Sequence, residues 1–416
     1  LLPAIPSLLL FARAGCQGAG PAWPLDYPDT RRVDHTDDYF GTVVPDPYRW
    51  MEDLEAPELA EWEEKQNKIS LPFLEEMPDH EGIRARLTEL WNYERFGIPM
   101  KEGGLYFFTR NDGLQDQDVL FVAESLEGEA RILIDPNGFS EDATVALAGL
   151  SVSPDGRYIA YATSDGGTDW NTWHVRDVVT AEDLPDAVAY TKFTSASWLP
   201  NGSGFFYSRY PLGPDGEGDG QAQVEVYFHE LGTNQSEDDL VYAVEDSESR
   251  NPYASVTEDG RYLIIEVSEG YNENGVYYLD LGAPNGGVVR LLDEWDALYS
   301  FIGNDGPVFY FHTNNDAPRN RVLAIDVRRP APSAWRDIIP QAEETLLSAS
   351  YVGGVFVARF MEDAKTLIRL FSSDGEVRRD VALPGLGTAG GFGGHADDPE
   401  TFYSFQSYTV PPTIYR

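Results

Sequence analysis

Few of the groups in this 416-residue chain that can move a proton, attack a carbonyl or hold a metal are spaced to do so. Acyl transfer on an α/β sheet needs a serine at a sharp strand-to-helix turn, G-x-S-x-G, so that its hydroxyl clears the sheet. No serine here has glycine at both −2 and +2; Ser151 has Gly149 but lacks the second. The single cysteine, Cys16, lies in an apolar leader and is no candidate nucleophile. His35, His80, His174, His229, His312 and His395 are scattered, with no i, i+4 pair and no H-x-H, so neither a metal site nor a cofactor is expected. Asp215, Glu217 and Asp219 alternate as in a calcium loop, but no closing glutamate and no flanking helix accompany them, and a solvated loop is the expected outcome. Among 70 acidic residues no pair stands out as the two carboxylates of a glycosidase. No catalytic residue is assigned.

The elements that would position any site come next. Residues 26–97 read as a short helical segment. "EAPELAEWEEKQNKIS" predicts a helix opening at Pro57, with Leu59, Trp62 and Ile69 on one face and Pro72 ending it. "HEGIRARLTELWNY" predicts a second, burying Ile83, Leu87, Leu90 and Trp91. "DYFGTVVPDPYRWMED" before them is turn-rich and reads as irregular.

From residue 98 a phrase repeats: a tight Asp/Asn-Gly-type turn leading into an apolar strand, at Gly104, Gly156, Gly202, Gly260, Gly306, Gly354 and near Pro399. A period of roughly 50 residues, with strands and no helices between, is the mark of a β-propeller, whose blades bury their faces only against one another. The fold expected is mainly β: a seven-bladed propeller over 98–416 after the helical segment. An all-β sandwich would not repeat one phrase at constant spacing. The closing "TFYSFQSYTVPPTIYR" reads as strands separated by a turn at Pro411-Pro412, the opening of a last blade that is incomplete. "TSDGGTDWNTW" (163–173) approaches the S-x-D-x-G-x-x-W box of sialidase propellers, but in one imperfect copy that carries no chemistry.

Composition bounds the partners. A net charge of −40 argues against nucleic acid as a partner, because phosphate binding needs a basic surface. The aromatic content argues for a folded chain despite that charge. An acidic surface with few lysines suits a salt-rich medium, although a GC-rich genome gives the same arginine bias. "LLPAIPSLLLFARAGC" resembles the tail of a bacterial secretory signal, with Cys16 a candidate for acylation, so residues 1–25 are set apart as a leader and export is expected, with a cytoplasmic location the alternative. No later run approaches the ~18 apolar residues of a membrane span.

Specific strings then carry a resemblance. "YPDTRRVDHTDDYFGTVVPDPYRWMED" (27–53), "GLQDQDVLFVAESLEGEARILIDPN" (113–137), "KFTSASWLPNGSGFFYSRYP" (192–211), "LGTNQSEDDLVY" (231–242) and "HTNNDAPRNRVLAID" (312–326) resemble the prolyl oligopeptidase family of serine peptidases over residues 27–416. The likeness is to its prolyl oligopeptidase branch more than to oligopeptidase B or the dipeptidyl peptidases. The resemblance implies a peptidase that cuts short proline-containing peptides after proline. Its propeller would be inserted into an α/β-hydrolase domain whose Ser, Asp and His follow the propeller. That part is missing here, so this chain alone is expected to be inactive, and the full-length protein to be a monomer. The resemblance also implies that Phe193, in Lys192-Phe193 through Trp198, reaches the substrate's non-prolyl side. A second position of that pocket, usually small, is occupied by Tyr271 in "SEGYNENG". The Asp46–Trp50 core is expected to anchor the N-terminal segment to the hydrolase domain, without touching substrate. A stand-alone binding or scaffold propeller is the alternative.

Overall fold

The computed structural model describes residues 25–416 apart from 55, 215, 284 and 285, so the leader and Cys16 lie outside the described residues. The chain divides into two compact units, 1–93 and 94–416.

In the first unit, residues read as irregular form a hairpin, Thr36–Tyr39 with Thr42–Pro45. Its two-residue turn is Phe40-Gly41, both at positive φ (55° and 88°), and the Asp38 carboxylate accepts the Gly41 amide at 2.6 Å. Helix α1 spans Pro57–Glu75 and α2 spans His80–Trp91. Pro72 does not end α1. A proline deep in a helix removes one donor, yet its carbonyl still accepts, and here it receives the Glu76 amide one turn later at 2.9 Å. Leu59 is buried as expected, whereas Ile83, Leu87, Leu90 and Trp91 form an exposed stripe, contrary to the buried stripe the periodicity suggested. The Asp46–Trp50 core is a local node: Arg49 bonds Asp46 (3.1 Å) and Asp37, and the Trp50 indole donates to the Arg31 carbonyl at 3.0 Å.

The second unit is a ring of seven antiparallel sheets, the seven blades of a propeller. Blade 1 runs from Arg95–Phe96 to Arg131–Ile134, and its innermost strand is two short pieces, the second being Met100–Glu102, both paired with Leu105–Asn111. Blades 2 to 6 have four strands each, over residues 146–191, 197–242, 251–292, 299–339 and 345–380. Blade 7 has three: Thr388–Gly393, Phe402–Ser407 and Val410–Tyr415. Pro411 and Pro412 lie inside that last strand, not at the turn, which falls between Ser407 and Val410. Proline is tolerated there because a strand at the edge of a sheet need not donate from every amide.

Why the blades form a ring is visible in the core. Six apolar clusters each draw residues from two adjacent blades, as Tyr310, Val322 and Ile339 of blade 5 do with Phe356, Ala358 and Phe371 of blade 6. A blade alone would leave both faces wet, and burial against its neighbours is what makes each sheet stable. Polar ties run between blades too: the Trp198 indole donates to the Ser151 carbonyl (3.0 Å), and the Ser208 hydroxyl to Pro252 (2.9 Å).

With strands a to d numbered outward in each blade, the antiparallel path sorts the connections onto two faces. The a–b and c–d turns share one face. The b–c turns and the crossings from one blade to the next share the other.

Candidate functional site: the face of the b–c turns

Phe193 lies in the crossing from blade 2 to blade 3, on the b–c face. Its backbone is left-handed (φ 54°) and its side chain is 69% exposed. Both are unfavourable for an aromatic residue without support. The support is on either side. Thr191 is fully buried and donates its hydroxyl to the Asn171 carbonyl at 2.8 Å, while the Thr194 hydroxyl accepts the Ser208 amide at 3.0 Å. These anchors hold the strained residue and turn its ring outward.

Two further aromatic residues towards this face are left-handed: Tyr190 (φ 60°), at the end of the last strand of blade 2 and three residues before Phe193, and Trp295 (φ 55°), on the crossing between blades 4 and 5. The Arg250 guanidinium stacks on Trp295 at 3.7 Å and pairs with Glu269 at 2.9 Å. Tyr271 occupies the b–c turn of blade 4, after Gly270 (φ 70°), and is 94% exposed. Phe193 and Tyr271 therefore share a face and sit on neighbouring blades.

Sequence reasoning missed the companions of Phe193. Trp170, in the sialidase-like string set aside above, carries the Lys192 ammonium over its ring at 4.0 Å and meets Tyr210 edge-on at 5.3 Å. Gly218 and Gly220 of the acidic loop pack on the same indole, where any Cβ would press against it. That loop is folded back by a bridge between Leu212 and Gly218, so it is not a free extension. Burial first, then the charge of Asp169, raises the Tyr210 phenol, which stays neutral. The available signal was the rarity of lysine: Lys192 is one of five in the chain and adjoins Phe193. Among the described residues, no three His, Cys, Asp or Glu are grouped to hold a metal ion, and no helix is long and apolar enough to cross a membrane.

Comparison with known proteins decides the family. The profile described as "Prolyl oligopeptidase, N-terminal beta-propeller domain" matches residues 28–416. The chain belongs to the prolyl oligopeptidase family. It is 37% identical over 394 residues to a prolyl endopeptidase of Elizabethkingia miricola, covering 94% of this chain and 55% of that protein. Against prolyl oligopeptidase A of Galerina marginata it is 30% identical, covering 95% and 58%. A solved prolyl endopeptidase structure superposes with a TM-score of 0.85 at 32% identity, covering 94% of this chain and 58% of that one. Prolyl oligopeptidase B of Galerina marginata, bound to a 35mer hydrolysis and macrocyclization substrate, superposes at 0.82 and 27%, over 94% and 58%. The chain thus spans a little over half the length of these relatives, and the portion matched is the family's N-terminal segment and propeller, not its catalytic part.

Proposed function

We propose that this chain is the substrate-admitting portion of a serine peptidase that cleaves short peptides after proline, and that its b–c face meets the substrate. The observation that carries the reading is Phe193: a strained, outward-facing aromatic, anchored on both sides, within the string that resembles the family's substrate-lining segment. Acyl transfer would fall to a Ser, His and Asp on an α/β-hydrolase part outside these 416 residues, in keeping with the lack of a G-x-S-x-G serine. The ring's role is steric: flexible peptides pass and folded proteins do not. Tyr271, where the family usually has a small residue, narrows the pocket; Tyr271→Ala should broaden the residues accepted on the non-prolyl side without changing stability. The full-length protein is proposed to be a monomer that binds no nucleic acid. Export is proposed for the leader, and loss of labelled palmitate incorporation in Cys16→Ala would establish the lipidated form.

The test has two arms. The chain alone should not hydrolyse a chromogenic Gly-Pro amide, and turnover blocked by a serine-directed inhibitor would overturn the reading. A photo-crosslinking phenylalanine analogue at position 193 of the complete enzyme should capture a proline-containing peptide. Capture at an exposed control position such as Val179, with none at 193, would equally overturn it.

A further inference from the structure

The opposite face, that of the a–b turns, carries a feature the gating reading does not require. In blades 1 to 6 the a–b connection is a tight turn. In blade 7 it is a longer loop, from Gly394 to Thr401. His395 sends its Nε2 to Glu102 Oε1 of blade 1 at 2.9 Å and its Nδ1 towards Glu258 Oε1 of blade 4 at 3.5 Å. The Ala396 amide donates to both Glu258 oxygens, at 3.0 and 3.1 Å. Blade 1 is the neighbour of blade 7, but blade 4 lies across the ring. Residues 394–398 therefore run as a chord over the mouth of the channel, beside a cavity of about 660 Å³ bordered by blades 7, 1, 2, 3 and 4.

The seam beneath the chord differs from the other six. Each of those holds an apolar cluster. Between blades 7 and 1 the described contacts are largely polar: Tyr106 donates to Glu400 at 2.6 Å, Lys101 lies 3.5 Å from Asp398 and 3.8 Å from Glu400, and Arg416 lies 3.6 Å from Glu127. One edge-on contact of Tyr106 with Phe402 (6.3 Å) and the approach of Ile98 to Gly391 are its apolar part.

We propose that Gly394–Asp398 is a releasable strap, pinned over the a–b mouth by His395 between Glu102 and Glu258. A protonated imidazole has two N–H groups, one for each carboxylate. A neutral ring has one N–H and no charge, so losing the proton forfeits the ion pair with Glu258 or the hydrogen bond to Glu102. The groups facing His395 are Glu102 and Lys101 of blade 1, Glu258 of blade 4, and Asp397 and Asp398 of its own loop, with Tyr351 of blade 6 near both Glu258 and Asp305 of blade 5. The hydrogen bond to Glu102 pushes its pKa up to about 9; burial opposes this, and the charges of Glu102, Glu258 and Asp398 add to it. A raised pKa means that the imidazole's share of the pin is complete below about pH 6.5 and is lost as pH rises through about 9, leaving the Ala396 amide alone on Glu258. At 34% side-chain exposure, His395 can be released without opening a core. The strap deepens the gating reading by giving the ring a closure, but its existence does not depend on the substrate.

The test is hydrogen exchange on the 416-residue chain, followed in peptides covering Gly394–Thr401 and corrected for the intrinsic pH dependence. His395→Gln and Glu258→Ala should each raise exchange in those peptides about tenfold at pH 7, leaving the second strand of blade 6 (Val355–Glu362) unchanged. In the wild type the same rise should appear between pH 8 and 10, and His395→Gln should abolish that transition. Unchanged protection in both variants, or loosening of every blade together, would overturn the strap. Because no peptide hydrolysis is measured, this outcome is separable from failure of the peptidase reading.

Discussion

The two faces of the ring are built from one repeated strand plan and put it to opposite uses. On the a–b face, turns pack on turns. Gly103 meets the Asp155 backbone of the next turn, Gly202 lies against the Asp155 carboxylate, Gly260 against Pro200, and the Asn304 amide donates to Asp259 at 2.8 Å. On the b–c face the connections meet through aromatic side chains, Trp170 against the blade 3 loop and Trp295 under Arg250, and Phe193, Tyr190 and Trp295 hold left-handed backbones. The a–b face spends its special conformations on closure, while on the b–c face Phe193 spends one on presenting an exposed ring. Strain alone does not single out a residue for recognition; strain combined with exposure and rigid flanks is what sets Phe193 apart from the others.

The largest effect should come from the closed side. Near the c–d turn of blade 3, His229 is fully buried between Asp186 (3.0 Å) and Asp238 (2.8 Å), and Tyr207 donates to Asp238 at 2.6 Å. Burial alone would lower the His229 pKa, but the bonds and charges of the two aspartates push it up to about 9. His229→Leu strands two buried carboxylates and should cost about 3–5 kcal/mol in urea unfolding. With a raised folded pKa, the wild-type contribution is complete below about pH 6.5 and declines as pH rises through about 9. Asp186 is burdened by burial yet held below its usual range by His229 and the Gly232 amide, so its share is lost only as pH falls below about 4. A pH-independent difference between His229→Leu and wild type would break this account.

A matched pair inside blade 4 isolates the contrast between faces. Gly260 (φ 69°, a–b turn) and Gly270 (φ 70°, b–c turn) have the same backbone conformation. A Cβ at Gly260 would sit 2.1 Å from Pro200 Cγ, whereas one at Gly270 would meet nothing within 4 Å. Gly270→Ala should cost about 1 kcal/mol, the left-handed term alone. Gly260→Ala should cost about 2–4 kcal/mol, because the clash with a rigid proline adds to it. Equal losses by thermal unfolding would mean that turn-to-turn packing contributes nothing.

The ring itself was legible because its turns demand a residue free to take positive φ. Gly104, Gly156, Gly202, Gly260, Gly306 and Gly354 all do so, and their spacing counted the blades. The strap was not legible: "HADDPETFYSFQ" reads as one more turn, and its partner Glu102 is 293 residues away in sequence. The His229 cluster was hidden likewise, since blade register, not spacing along the chain, brings Asp186 to it. The hairpin at Thr36–Pro45 was missed because a phenylalanine, Phe40, takes the first left-handed turn position usually signalled by Asn or Gly. Phe193 stands out in the sequence only through family likeness; nothing local distinguishes it there from a core aromatic.

The smallest predicted effect on stability is also the sharpest probe of the open face. Phe193→Ala removes the ring but keeps a Cβ in the left-handed region, whereas Phe193→Gly removes both. Because the ring is mostly exposed, its loss should cost little packing, and the glycine variant should be about 1 kcal/mol more stable than the alanine variant. Peptide recognition by the complete enzyme should fall equally in both, as a rise in KM for Gly-Pro substrates. Recognition would then follow the ring while stability follows the backbone. If Phe193 were instead a packing residue, both variants would lose stability together and KM would stay put, and the division of labour between the two faces would fail at its most exposed residue.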